Sequence, residues 1–95
     1  MLLFAKFKVI GHSMQPQIKD QQLVLISNIF YWFKKPKIGD IVAFRDSEQI
    51  LIKRITKISE GKYFLSGDNQ GDSLDSRKLG LIAKRKIIGK VIYKL

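Results

Sequence analysis

The chain has no cysteine, one histidine and two prolines among its 95 residues. Without cysteine there is no disulfide, no thiolate metal site and no cysteine nucleophile, and the compartment stays undecided. With His12 as the one imidazole, a multi-histidine metal site within the chain is excluded as well. Acidic residues are scarce: 8 stand against 18 Lys and Arg, a net charge of +10. No acid follows Asp75, whereas Arg77, Lys78, Lys84, Arg85, Lys86, Lys90 and Lys94 do. Such a surplus favours nucleic acid or anionic lipid as a partner, and a solvated lysine-rich face produces the same composition. The interleaved aromatics of an RNA-binding sheet are absent. Long apolar runs are missing too. "MLLFAKFKVI" is broken by Lys6 and Lys8, too short for the ~20 apolar residues of a bilayer span. It also lacks the charge-then-apolar order of a cleavable secretion signal.

What is present reads as folded: 45% of residues are hydrophobic and 27% charged, with room for one modest core. Residues 1–95 are therefore expected to form a single domain. Gly and Pro punctuate short apolar runs, the pattern of an all-β chain. Strands are expected over 22–28, 39–46, 49–58, 62–67 and 86–95, the third and fourth joined as a hairpin across "SEG". Gly89, inside the last of these, marks a bulge or a close backbone approach. Helix is hard to find, and Gly80 limits "SRKLGLIAKRK" to one turn. Phe30, Tyr31, Trp32 and Phe33 stand in a row before Lys34, Lys35 and Lys37. Two readings are open for them: aromatics that cap the core, or an exposed loop at a membrane interface.

Two polar residues carry the functional question. "GHSMQP" (11–16) sets Ser13 in a tight turn, where it is either structural or a nucleophile that needs a base. In "QILIKRITKI" both strand faces are apolar near the middle, which describes an interior strand and places Lys53 between Leu51 and Ile55. A lysine there either snorkels to water or keeps its amine in an apolar site, where desolvation lowers its pKa. A free lysine near 10.4 cannot serve as a base at neutral pH; one brought down to about 7–8 can. A serine and such a lysine are the two parts of a serine–lysine dyad. "SGDNQGDSLDSRKLG" (66–80) reads as a solvated loop of Asx turns. Its donors Asp68, Asn69, Asp72 and Asp75 do not follow the EF-hand order.

Taken in order, "GHSMQP", "KPKIGDIVAF", "ILIKRI" and "GDNQGDSLDSR" resemble the boxes of the signal peptidase I family, membrane-surface serine–lysine endopeptidases. The four segments run in this order from Gly11 to Arg77, and the resemblance extends over nearly the whole chain, from Val9 to Val91. The resemblance implies Ser13 as nucleophile and Lys53 as general base, with the Ser13 N–H helping to hold the oxyanion. It implies Ser73 as the hydroxyl that orients the lysine, Asp75 and Arg77 as a structural salt bridge, and Asp68 and Asn69 as the start of that loop. Met14 would line the floor near the nucleophile, and Pro16 would fix the turn. Gly11 stands where many members carry a serine that supplies a second oxyanion donor. Gln21 and Gln22 replace a usual Gly-Asp.

No anchor segment is expected ahead of the first box within residues 1–10, and no large accessory β-domain is expected between Lys53 and Gly67. That minimal form is also similar to the family's small proteases of nickel-type superoxide dismutase maturation. The self-cleaving LexA-like repressors, which share the dyad, are more distant. The fold expected is a small antiparallel all-β core, partly closed into a barrel, of the LexA-like/signal peptidase kind.

The function expected is endoproteolysis near the N-terminus of an exported or precursor protein, at a membrane surface or in the cytoplasm. The resemblance implies no metal or cofactor, an anionic membrane as peripheral contact, and no nucleic acid. The rival from another class is a non-catalytic basic module docking on lipid, nucleic acid or a partner protein.

Overall fold

The computed structural model describes residues 4–69 and 80–95. It is an all-β structure of antiparallel strands in one sheet: β1 (Phe4–Lys8), β2 (Leu23–Ser27), β3 (Ile41–Asp46), β4 (Gln49–Ser59), β5 (Lys62–Ser66), β6 (Ile82–Ala83) and β7 (Ile87–Lys94). One helical turn, α1 (Phe30–Phe33), lies between β2 and β3, and a short 3-10 turn, Lys84–Lys86, precedes β7. The five expected strands are present with ends shifted by two residues at most. β1 and β6 were not anticipated. Lys6 and Lys8 interrupt the apolar run of β1 because alternate residues there face solvent, and β6 is only two residues long.

The hydrogen-bonded order is β1-β2-β7-β3-β4-β5-β6, with β1 and β6 outermost among the described strands. Among the described residues no pairing closes the sheet into a barrel. The sheet curls instead. β1 and β4 are four strand steps apart, roughly 19 Å in a flat sheet, yet both line one cleft. Inside the curl pack Val9, Met14, Ile18, Val24, Ile26, Ala43 and Ile52, and on the opposite face Val42, Phe44, Ile55, Tyr63, Leu65 and Ile82. Val42, Ala43 and Phe44 are all buried because β3 is covered on both faces. Gly89 occupies a close approach: a Cβ there would meet the Ser27 carbonyl oxygen at 2.8 Å and Ile26 Cγ2 at 2.9 Å. The register of β7 against β3 shifts beside it.

Two-residue turns join the hairpins. Glu60 and Gly61, with φ of 51° and 75°, connect β4 to β5, and the right-handed twist of the flanking strands favours such a turn. The turn before β3 is closed by Asp40, whose Oδ2 accepts from the Lys37 N–H at 3.2 Å. The Tyr31 hydroxyl donates to the same oxygen at 2.7 Å.

Candidate active site

The turn from Gly11 to Ile18 follows β1 and returns the chain to β2. Gly11 has φ +100°, and nothing lies within 4 Å of where its Cβ would be. Backbone conformation, not crowding, therefore favours glycine there. Its N–H donates to Asp20 Oδ1 at 2.7 Å, so this amide is already engaged and is not free to serve as a second oxyanion donor. The His12 carbonyl accepts from the Gln15 N–H at 3.1 Å, and the Met14 carbonyl from the Ile18 N–H at 2.9 Å. Met14 and Ile18 are fully buried and fasten the turn to the core. Met14 thus belongs to the core beneath the turn and is not among the residues lining the cleft. Ser13, one residue earlier, remains half-exposed.

Ser13 opens onto a cleft of about 400 Å³ between β1 and the first half of β4. Its walls are mostly apolar, with Phe7, Val9 and Ile10 on one side and Ile50, Leu51 and Ile52 on the other. Lys53 lines the same cleft. Strand alternation sets Lys53 on the face of Leu51 and Ile55, opposite Val42 on β3, and it is only 4% exposed. A serine and a buried lysine, far apart in sequence, thus meet at one concavity. His12 is exposed, its Nδ1 paired with Gln15 Nε2 at 2.9 Å, and it is not among the lining residues.

Behind the turn, Arg54 and Asp68 form a two-pronged ion pair, Nε to Oδ1 at 2.8 Å and Nη2 to Oδ2 at 2.9 Å. The third prong, Arg54 Nη1, donates to the Gly39 carbonyl at 2.8 Å. The hydrogen bonds to Asp68 hold the Arg54 guanidinium above its ordinary pKa, against a smaller opposing effect of burial. Asn69 follows directly. Its N–H donates to the Ser13 carbonyl at 2.8 Å and its Nδ2 to the His12 carbonyl at 3.1 Å. The sequence reading missed Arg54 and its link to Asp68, although the Lys-Arg pair on β4 was the available signal. Ser73, Asp75 and Arg77 lie outside the described residues. Among the described residues no cluster of His, Asp and Glu could hold a metal ion.

The family model for "Signal peptidase, peptidase S26" matches residues 1–59 and 55–95. Signal peptidase I of Bacillus amyloliquefaciens is 24% identical over 135 aligned positions, covering 92% of this chain and 73% of that protein. Because that alignment is longer than the chain, the relative carries additional residues between matched segments. Signal peptidase I of Buchnera aphidicola subsp. Baizongia pistaciae is 35% identical over 72 residues, 70% of this chain but 20% of that protein. Mitochondrial inner membrane protease subunit 1 of Xenopus tropicalis is 26% identical over 108 residues, 90% of this chain and 65% of that protein.

Proposed function

The chain belongs to the signal peptidase family, peptidase S26, and from that premise we propose that it is a serine endopeptidase with Ser13 as nucleophile and Lys53 as general base. The observation that carries the proposal is the shared cleft, with half-exposed Ser13 and buried Lys53 both on its wall. Removing an amine from water disfavours its charged form, which is the direction a general base requires.

In the proposed reaction a peptide lies extended along the cleft. Ser13 Oγ attacks the scissile carbonyl while the neutral Lys53 amine takes the hydroxyl proton. The Ser13 N–H, and not that of Gly11, faces the developing oxyanion. Collapse of the tetrahedral intermediate breaks the C–N bond, and the Lys53 ammonium returns its proton to the departing amine. Water then enters and gives a proton to Lys53 as its oxygen bonds to the acyl carbon. The second tetrahedral intermediate breaks its bond to Ser13 Oγ, which takes that proton back from the Lys53 ammonium as the acid product leaves. Asn69 keeps the turn in place by holding the two carbonyls before Met14. Ser73 is proposed to orient the lysine, and Asp75 with Arg77 to brace its loop, on the family resemblance alone. The substrate on this reading is a precursor carrying a signal peptide or propeptide. The site of action is the surface of an anionic membrane, which the +10 charge favours.

The test is the intact mass of the protein after exposure to a serine-acylating probe, beside Lys53→Ala. The expected result is one adduct, mapped to Ser13, in the wild type and none in the variant. A folded wild type that stays unmodified in the presence of lipid overturns the proposal and leaves the basic binding module as the reading.

A further inference from the structure

The turn α1 spends its apolar residues in an unusual way. Four consecutive aromatics wind through one helical turn, and none is buried. Phe30 is 51% exposed, Trp32 48% and Phe33 82%, although large aromatics contribute most to stability when covered. The turn is too short to hold itself together, so something else fixes it. That anchor is Tyr31, the one aromatic of the four that is mostly covered, whose hydroxyl is bound to Asp40 Oδ2. Asp40 is itself buried, 6% exposed, with Lys90 Nζ 3.6 Å from its other oxygen. Lys90 Nζ also lies 5.4 Å from the centre of the Phe30 ring. Successive residues of a helical turn point about 100° apart. Pinning Tyr31 inward therefore holds its neighbours outward.

Lys34, Lys35 and Lys37 follow immediately and are all exposed. Between Gln21 and Arg45 the sole carboxylate is Asp40, which is buried and already paired. The patch is thus apolar at its centre, and the exposed charges that follow it in the chain, Lys34, Lys35 and Lys37, are cationic. A second copy of this chain is a poor occupant, since both would bring the same lysines and a charge of +10. An anionic bilayer complements both parts: aromatic rings suit the interfacial depth and lysines the headgroup charge. The patch is also close to the cleft. Phe4, 55% exposed, pairs with Ser27 at the end of β2 that leads into α1. From Phe4 the strand reaches the cleft residue Phe7 in three steps, roughly 10 Å.

We propose that α1 and the lysines after it form a pre-organised docking foot for anionic membrane, which sets the cleft at the bilayer surface. The foot rests on the membrane-surface part of the reading above and not on the peptide-bond chemistry, so vesicle binding and Ser13 acylation fail separately. Trp32 is the single tryptophan of the chain, so its fluorescence reports on this patch alone. The experiment titrates the full chain with vesicles of phosphatidylcholine plus phosphatidylglycerol, and with phosphatidylcholine alone. Mixed vesicles are expected to shift Trp32 emission to the blue and to expose it to quenching by acyl-chain-brominated lipid. Replacing Lys34, Lys35 and Lys37 together by Gln is expected to weaken binding roughly a hundredfold, at about fivefold per charge. Phe33→Ser, at the most exposed of these positions, is expected to keep the melting temperature and weaken binding about tenfold.

Three results would overturn the foot: no shift on mixed vesicles, equal binding to both vesicle types, or both variants binding like the wild type. A blue shift that grows with protein concentration in the absence of lipid would assign the patch to self-association instead.

Discussion

Asn69 donates its backbone N–H to the carbonyl of Ser13 at 2.8 Å, while its side chain reaches the carbonyl of His12 at 3.1 Å. One residue thus grips two consecutive carbonyls of the turn that bears the proposed nucleophile. The backbone bond survives truncation, but the side-chain bond does not. Asn69→Ala is expected to leave the melting temperature nearly unchanged and to slow Ser13 acylation about tenfold, small misplacements of a reacting group being costly. A stopped-flow or mass-resolved acylation time course measures it. An unchanged rate would reduce Asn69 to a passive loop contact.

Asp68 acts one step further back. Its two oxygens take two prongs of Arg54 while the third holds the Gly39 carbonyl, so the pair ties β4, the turn before β3 and the loop at Asn69 together. Two-pronged ion pairs of this kind are the stronger sort, but partial exposure of both side chains, 28% and 18%, discounts it. Asp68→Ala is expected to lower stability by about 1–2 kcal/mol and, by releasing Asn69, to reduce acylation more than Asn69→Ala does. Urea midpoints and acylation rates on the two variants separate the effects.

The choice of base is tested by contrasting two substitutions. Lys53→Arg is expected to abolish acylation, because a guanidinium does not deprotonate at any working pH. His12→Ala is expected to retain wild-type rates, since His12 is exposed and bonded to Gln15 outside the cleft. The opposite pattern in the same acylation assay would move the base from Lys53 to His12.

Much of this arrangement was legible in the order of residues. The period-two pattern of β4, apolar on both faces, described an interior strand, and β4 does lie between β3 and β5. That pattern put a lysine where water is scarce, and Lys53 is buried. Gly89 announced a close approach, which the Ser27 backbone supplies. What was not legible depends on pairings distant in sequence. β1 is a strand only because Leu23–Ser27 offers it partners, and Arg54 finds Asp68 only after β5 has reversed the chain. The aromatic row carries no period that separates a core cap from an exposed turn. Its outcome was decided by Tyr31 and Asp40, nine residues apart.

Gly89 gives a prediction on the fold alone. The atoms a Cβ would meet include the Ser27 backbone carbonyl at 2.8 Å, which cannot rotate away as a side-chain end would. Gly89→Ala is therefore expected to cost about 1–3 kcal/mol by overpacking. Thermal and urea denaturation measure this. A neutral result would mean that the β2–β7 pairing slides easily, and its register shift between Leu25 and Ile26 would be the place to look.

The Tyr31–Asp40 bond makes stability depend on alkaline pH. Burial first, and then the hydrogen bond to Asp40, push the Tyr31 phenol well above its ordinary value. A group whose pKa is raised by folding contributes fully below its unfolded value, about 10 for tyrosine, and loses that contribution as pH rises further. Between those limits the unfolded chain gives up a proton that the folded chain keeps, so this phenol adds a fall of up to about 1.4 kcal/mol per pH unit. Tyr31→Phe removes both the bond and the titration. The variant is expected to be less stable at neutral pH by about 1 kcal/mol and to decline less steeply above pH ~10, so that the two stability curves converge. Curves that run parallel through that range would show that Tyr31 does not hold its proton on folding, and the pinning of α1 would need another source.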